Sequence, residues 1–286
     1  MSSVSFDRAA EFYDRTRVTE DASVRHSVDL LARELVGPGP ILEIGAGTGA
    51  LAVPLASRGA PVIGADLSGA MLAKLRAKTS AVPVTRADAT RLPFADHTFG
   101  GGYARWVLHL IGAWGEAVSE LCRVVRPGGK ILIEPGGHAG EWRTVWLRFV
   151  QELGEEARPV GLDVTSGGFE ALDRAFAEHG ATSRELPTVP LRLEATLDGF
   201  FDEAARRTYS WTWRVSDEAL TRAVPVLREW AGDRYGDLTV PFEPDAVLAW
   251  RAYDLAAGGR DDGRSDLVAA RYPDAATRRA PASDPR

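Results

Sequence analysis

Residues 41–50 read ILEIGAGTGA. Three apolar residues, Ile41, Leu42 and Ile44, flank one acid, Glu43, and the run then breaks into Gly45-Ala46-Gly47-Thr48-Gly49-Ala50. An apolar run followed by alternating glycines is the pattern of a buried strand that turns sharply into a helix. Glycine suits such a turn because the backbone must bend tightly and admit a close neighbour. As G-x-G-x-x-A the stretch fits the dinucleotide fingerprint; as E-x-G-x-G-x-G it fits a different nucleotide-derived cofactor. The turn alone leaves both open.

Upstream, residues 22–36 (ASVRHSVDLLARELV) place Val24, Val28, Leu31 and Leu35 at helical spacing, and Gly37-Pro38-Gly39-Pro40 stops that helix. Downstream, residues 48–58 read as a helix with Leu51 and Leu55 one turn apart, distorted at Pro54, which lacks an N–H. PVIGADLS is a second strand ending in Asp66, GAMLAKLRAKT a helix with Met71, Leu72 and Leu75 inward, and PVTRAD a third strand ending in Asp88. Residues 100–111 pass from strand to helix, GEAVSELCRVV is a further helix, Pro127-Gly128-Gly129 a turn and KILIEP a strand. This alternation predicts a parallel sheet covered on both faces.

Beyond Gly140 the pattern changes. EWRTVWLRFVQEL sets Trp142, Trp146, Phe149, Val150 and Leu153 on one helical stripe. Residues 185–198 and 246–254 alternate like strands, and such a pair would close the sheet as its last two strands. From about Ala256 the composition turns to Gly, Asp, Arg, Ala and Pro, which predicts a disordered tail.

The chain has 286 residues, 45% hydrophobic and 26% charged, which is ordinary globular composition. A formal charge of −6, with Lys74, Lys78 and Lys130 the only lysines, argues against a nucleic-acid partner. Cys122 is the single cysteine, so neither an internal disulfide nor a cysteine-based metal site is expected. The five histidines are scattered, and no metal site is expected from them either. The N-terminus MSSVSFDRAAEFYDRTR lacks the apolar core of a signal peptide. No apolar run approaches the ~18 residues of a membrane span, so a cytoplasmic location is expected.

Glu43, Asp66 and Asp88 stand at or near the carboxyl ends of three predicted strands, 23 and 22 residues apart. In an open parallel sheet those ends line the ligand crevice. Taken singly, each also reads as a helix cap; three in consecutive units ask for another reason. Asp66, 21 residues past Gly45, sits where a carboxylate accepts both ribose hydroxyls, which suits either cofactor. A dinucleotide brings an anionic pyrophosphate, met by backbone N–H groups. S-adenosylmethionine brings a sulfonium and an ammonium, and Glu43 and Asp88 suit a cationic ligand better. Charge therefore favours S-adenosylmethionine without deciding the matter.

The segments FDRAAEFYD, ILEIGAGTG, VIGADLSGAML, DATRLPFADHTF, WVLHL and RVVRPGGKILI, in this order, resemble the class I S-adenosylmethionine-dependent methyltransferases of the small-molecule type, which act on quinones and secondary metabolites. The resemblance spans about residues 6–135. It implies a Rossmann-like α/β fold with a seven-stranded, mostly parallel sheet whose last strand is antiparallel; the stretch between Gly140 and Glu185 is longer than a short crossover needs, and its surplus is expected to form a helical cap. Carried over, Gly45, Ala46 and Gly47 shape the turn under the methionine part of the cofactor, and Glu43 hydrogen-bonds around its amino group. Asp66 holds the ribose, Leu67 and Met71 pack on the adenine, and Asp88 with Ala89 meets its amino edge. Tyr13 and Arg17 match a segment that folds over the cofactor carboxylate, and Arg105 is a further contact. Two departures stand out: Gly100-Gly101-Gly102 replaces an acid and an apolar strand, so the fourth strand should be irregular, and His109 is followed by Leu110 where the family often has a second histidine.

The expected division is an N-terminal helical segment over the cofactor (1–36), a Rossmann-like cofactor-binding core (37–139), a helical cap (140–184), C-terminal strands and helices completing the sheet (185–255) and the tail (256–286). Methyl transfer needs a base only if the acceptor must lose a proton. His109 and His138 are the candidate bases, followed by Glu134; for His109 packing is the plainer role, and for His138 simple solvation. Trp142, Trp146 and Trp211 are candidates for a flat apolar pocket around a small-molecule acceptor, although aromatics at regular spacing are ordinarily core. Cys122 reads as core. The competing readings are a protein that binds the cofactor without turnover, and an NAD(P)-dependent oxidoreductase. The acceptor atom and the oligomeric state are not legible.

Overall fold

The computed structural model describes residues 3–11, 13–16, 22–35, 37–136, 140–164, 168–191, 195–242 and 246–257. Its elements in chain order are α1 (Tyr13–Thr16), α2 (Ala22–Glu34), β1 (Ile41–Ile44), α3 (Ala52–Ala56), β2 (Val62–Asp66), α4 (Gly69–Lys78), β3 (Val84–Arg86), β4 (Phe99–Arg105), α5 (Trp114–Val124) and β5 (Val125–Glu134). There follow α6 (Gly140–Leu153), α7 (Gly168–Ala177), β6 (Thr182–Glu185), β7 (Val189–Leu191), α8 (Leu197–Ala205), α9 (Asp217–Tyr235), β8 (Ala246–Leu248) and β9 (Arg251–Asp254). The expected tail lies, from residue 258 on, outside the described residues.

Seven strands form one sheet in the order β3-β2-β1-β4-β5-β9-β6. The first five run parallel, and β9 enters antiparallel between β5 and β6. The order reverses at β1, which pairs β2 on one side and β4 on the other, so a ligand crevice opens over the carboxyl ends of these strands. The central strands are covered on both faces. Val24, Val28 and Leu31 of α2 pack with Leu55, Tyr103 and Leu132 on one side. Val118 and Leu121 of α5 and Leu172 and Phe176 of α7 pack with Leu42, Ile44 and Ile131 on the other. The result is the doubly wound, Rossmann-like sheet with an antiparallel last strand.

The glycine run at the start of β4 does disturb its ladder: the pairing with β5 shifts between Phe99 and Gly101. The cause is a close approach. Gly100 donates its N–H to Pro40 O at 2.9 Å, and a Cβ there would stand 2.3 Å from the Pro38 carbonyl oxygen. The helix expected over 48–58 is confined to α3, five residues long, with Pro54 in its first turn where no N–H is required.

The closing strands differ from expectation. The sheet ends in β6 and β9, whereas β7 and β8 pair as a separate two-stranded ribbon. All four residues of β6 are exposed, so it carries no apolar alternation. It is held by its antiparallel ladder to β9, with Arg184 paired to Glu34 at 2.7 Å beside it. The helical layer also draws on two stretches of chain rather than one. Trp142, Val145 and Phe149 of α6 share a core with Phe200 and Phe201 of α8 and Leu227 of α9, while α7 belongs to the sheet. Among the described residues no helix is long and apolar enough to cross a membrane.

Candidate active site

The glycine turn follows the end of β1 and is tied to β2, with Ala46 donating its N–H to Ala65 O at 3.1 Å. Gly45 has φ +69° and Gly47 φ +53°, both in the left-handed region. A Cβ on Gly45 would lie 2.6 Å from Cγ2 of Val107, so the residue after β1 must be glycine for both space and dihedral. Gly47 donates its N–H to Oδ2 of Asp66 at 2.8 Å, and Ser68 donates to Oδ1 at 2.8 Å. Burial raises the Asp66 pKa above the ordinary carboxylate value against these two donors. Each carboxylate oxygen still has a lone pair for a further donor.

The N-terminal segment is tied onto this turn. Asp7 accepts from the Ser68 hydroxyl at 2.5 Å and from Ala70 N at 3.2 Å, capping the start of α4. Asp14 accepts from the Thr48 hydroxyl at 2.5 Å and pairs with Lys78 at 2.8 Å. Val4 donates its N–H to Leu110 O at 3.0 Å. The Phe6 ring lies edge-on to Tyr13 and to Trp213, whose centroids are 5.9 and 4.8 Å away.

These elements enclose a cavity of about 700 Å³, open mouth included. Of the residues expected at the cofactor, Tyr13, Gly45, Gly47, Asp66, Leu67, Met71, Asp88, Ala89 and Arg105 line it. Glu43 and Ala46 do not. Ala46 is buried, with Gly64 of β2 packed against its methyl. Glu43 is 4% exposed and accepts from the Tyr103 hydroxyl at 3.0 Å; burial, with the charge of Asp66 adding, pushes its pKa up to about 8. Arg17 and His138 lie outside the described residues. Sequence reasoning missed Val4, Phe6, Trp106, Val107, Leu110 and Ile111 as walls, since none belongs to a glycine or acid motif.

Beside the cavity, Arg105 Nε and Glu134 Oε2 face each other at 3.7 Å from adjacent strands, with both side chains nearly buried. Burial raises the Glu134 carboxyl to about 7 despite the guanidinium. Trp106 follows with φ +55°, uncommon for a bulky residue, and its ring lies 4.1 Å from the Arg105 guanidinium carbon.

A second cavity, of about 560 Å³, adjoins the first, and Val4 and Leu110 wall both. His109, Trp146 and Trp211 line it. Trp142 lines neither; its ring packs edge-on against Phe200 and Phe242 at 5.1 and 5.0 Å, in the core of the helical layer. The helical stripe that carries both tryptophans thus puts one at the cavity and one inside. Burial pushes the Cys122 thiol up to about 12, and the residue packs against the α5 face of the sheet. Among the described residues no group of three metal-binding side chains is present.

The methyltransferase domain family matches residues 42–133. The demethylmenaquinone methyltransferase of Renibacterium salmoninarum is 31% identical over 150 residues, 51% of this chain and 63% of that protein. That of Streptomyces avermitilis is 34% identical over 151 residues, 51% of this chain and 65% of that protein. In both, the chain spans less than two thirds of the relative's own length. Among solved structures, the YcgJ protein of Bacillus subtilis superposes with a TM-score of 0.56 at 19% identity, covering 82% of this chain and 100% of that one, a likeness of fold. The matched strands are those that carry the glycine turn, Asp66 and Asp88. Over residues 42–133 the chain is therefore similar to the methyltransferase domain family, and the sheet that carries this stretch has a Rossmann-like order.

Proposed function

We propose that this chain is an enzyme that moves a methyl group from S-adenosylmethionine to a small-molecule acceptor. The observation that carries the reading is the floor of the first cavity. A glycine turn and the Asp66 carboxylate share it, with Glu43 buried just behind. The two carboxyl groups at this floor, Asp66 lining it and Glu43 behind, offer hydrogen-bond acceptors where a pyrophosphate needs donors. The dinucleotide fingerprint also needs a helix opening within the glycine motif. Here α3 begins only at Ala52, seven residues past Gly45.

S-adenosylmethionine supplies a methyl carbon already activated by its sulfonium. Asp66 would hold the ribose hydroxyls, Leu67 and Met71 would pack on the adenine, Asp88 and Ala89 would meet its edge, and Tyr13 and Arg105 would close the methionine side. The work left to the protein is to hold acceptor and methyl carbon close and aligned, and to keep water out. In this reading residues 3–16 cover the cofactor and the helical layer covers the acceptor. His109, on the second cavity's wall, would take the proton that an acceptor hydroxyl or amine loses as its bond to the methyl carbon forms. The relatives named for demethylmenaquinone lend support to an aromatic acceptor, as do Trp146 and Trp211.

Calorimetric titration with S-adenosylmethionine, S-adenosylhomocysteine and NAD(H) tests the reading, with Asp66→Ala alongside. Binding of the two adenosyl ligands, none of NAD(H), and loss in the variant are expected. Binding of NAD(H) alone overturns the reading, and silence from all three points to a scaffold without turnover.

A further inference from the structure

The second cavity has a lining of one sign. Its polar members are His109, Ser210, Arg158 and Arg214, and among the described residues no carboxylate reaches it. Arg214 donates to the Arg158 carbonyl at 3.0 Å, a contact that leaves its charge unneutralised. Arg158 pairs with Glu155 at 3.1 Å, but that acid is 86% exposed, and an ion pair so open to water adds little. Two guanidinium groups therefore stand at the rim of an apolar hollow.

The hollow itself is flat-walled. The rings of Trp146 and Trp211 meet at 73° with centroids 4.9 Å apart, forming a corner, and Tyr209 lies parallel behind Trp211 at 7°. The rim is held in place by backbone contacts. Gly161 N donates to His109 O at 3.0 Å and Leu162 N to Leu108 O at 3.1 Å, so the stretch that carries Arg158 is bonded to the turn that carries His109. A Cβ on Gly161 would stand 2.3 Å from two carbonyl oxygens of that turn, which shows how closely the two stretches fit.

We propose that the second cavity binds a planar aromatic acceptor bearing one anionic group, the ring in the Trp146–Trp211 corner and the anion on Arg214 and Arg158. This rests on the methyl-transfer reading for its role, although not for its existence as a site. Arginine suits the task because its planar fork meets a carboxylate with two donors and keeps its charge at any working pH. The Val4–Leu110 wall between the cavities would then be the boundary that the acceptor's reacting atom faces.

The test uses the full chain and two probes of one shape, 1-hydroxy-2-naphthoate and 1-naphthol, titrated by tryptophan fluorescence with and without S-adenosylhomocysteine. The naphthoate is expected to bind about tenfold tighter or more, the size of a charge-assisted hydrogen bond. Arg214→Gln should bring the two probes to within about twofold by weakening only the naphthoate, and Arg158→Gln should do so in part. Equal affinity in the wild type, an equal loss for both probes in Arg214→Gln, or no binding of either overturns the proposal. Binding of S-adenosylhomocysteine in the same samples scores the methyl-transfer reading separately: it can fail while the naphthoate preference stands, and the reverse.

Discussion

The two cavities are built in opposite ways. The first has a floor made of backbone: a turn of left-handed glycines, amides donating to Asp66, and a capped helix start, within strands that pair in order. The second is made of side chains drawn from residues 4, 109–110, 146, 158–164 and 210–214. The lesson is about where specificity is written. A shared cofactor can be met by short motifs whose geometry is local, whereas an acceptor is met by packing between distant stretches, which varies freely between relatives. That the family match stops at residue 133, before the helical layer begins, fits this division.

The sharpest way to break the comparison is Gly45→Ala. A left-handed dihedral costs an L-residue about 1–2 kcal/mol, and the new methyl would stand 2.6 Å from Val107. Calorimetry is expected to show S-adenosylmethionine binding weakened by about tenfold or more, with the naphthoate site little changed. Adding Val107→Ala should restore part of the loss, since it returns space and leaves the dihedral strained. Wild-type affinity in Gly45→Ala would mean that the backbone of the turn does not define the first cavity.

A second expectation concerns charge, which the sheet half buries and the helical layer leaves mostly at its surface. Glu43 titrates near 8 in the folded chain because it is buried, and near its ordinary value of 4.5 when unfolded. Between those values the folded chain holds a proton that the unfolded chain has released. Stability therefore falls as pH rises from about 4.5 to 8 and levels beyond. Glu43→Gln removes this dependence and can still accept from Tyr103. Its melting temperature should match the wild type near pH 5 and exceed it by several degrees near pH 9. Parallel melting curves across that range would show that the Glu43 carboxyl is ionised in the folded protein.

What was legible follows the same line. Val24, Val28 and Leu31, the ILEI run, and the acids at strand ends are all set by local pattern, and the sheet order and most of the first cavity follow from them. That Glu43 lies behind the floor and not on it is not legible, because a strand residue's partner depends on what lies across the sheet, here Tyr103, sixty residues away. The strand β6 is not legible because TSRE has no apolar alternation and is held by its ladder to β9, far along the chain, which no periodicity connects to it. Trp142 and Trp146 share a stripe, and only the packing of α8 decides that one is core and the other wall. Val4 lies in no motif, and Phe6 opens FDRAAEFYD without an expected contact; they matter because Leu110 and Trp213 receive them.

The smallest effect tests whether the two halves are independent. Trp213 belongs to the helical layer, yet Phe6 packs edge-on against it at 4.8 Å and the Arg8 guanidinium lies 5.1 Å over its ring. Its own indole N–H is bonded to Arg207 O at 2.8 Å, so the ring is fixed from behind. Phe6 and Val4 in turn wall the first cavity. Trp213→Ala removes one side of this clasp without touching the glycine turn or Asp66. An aromatic pair is worth about 0.5–1.5 kcal/mol beyond burial, so S-adenosylhomocysteine should bind about two- to tenfold more weakly. Amide exchange in residues 3–11 should quicken, and exchange in β1 and β2 should not. No change in either would make the cavities independent. A loss approaching that of Gly45→Ala would reverse the comparison, because the first cavity would then depend on packing as much as the second.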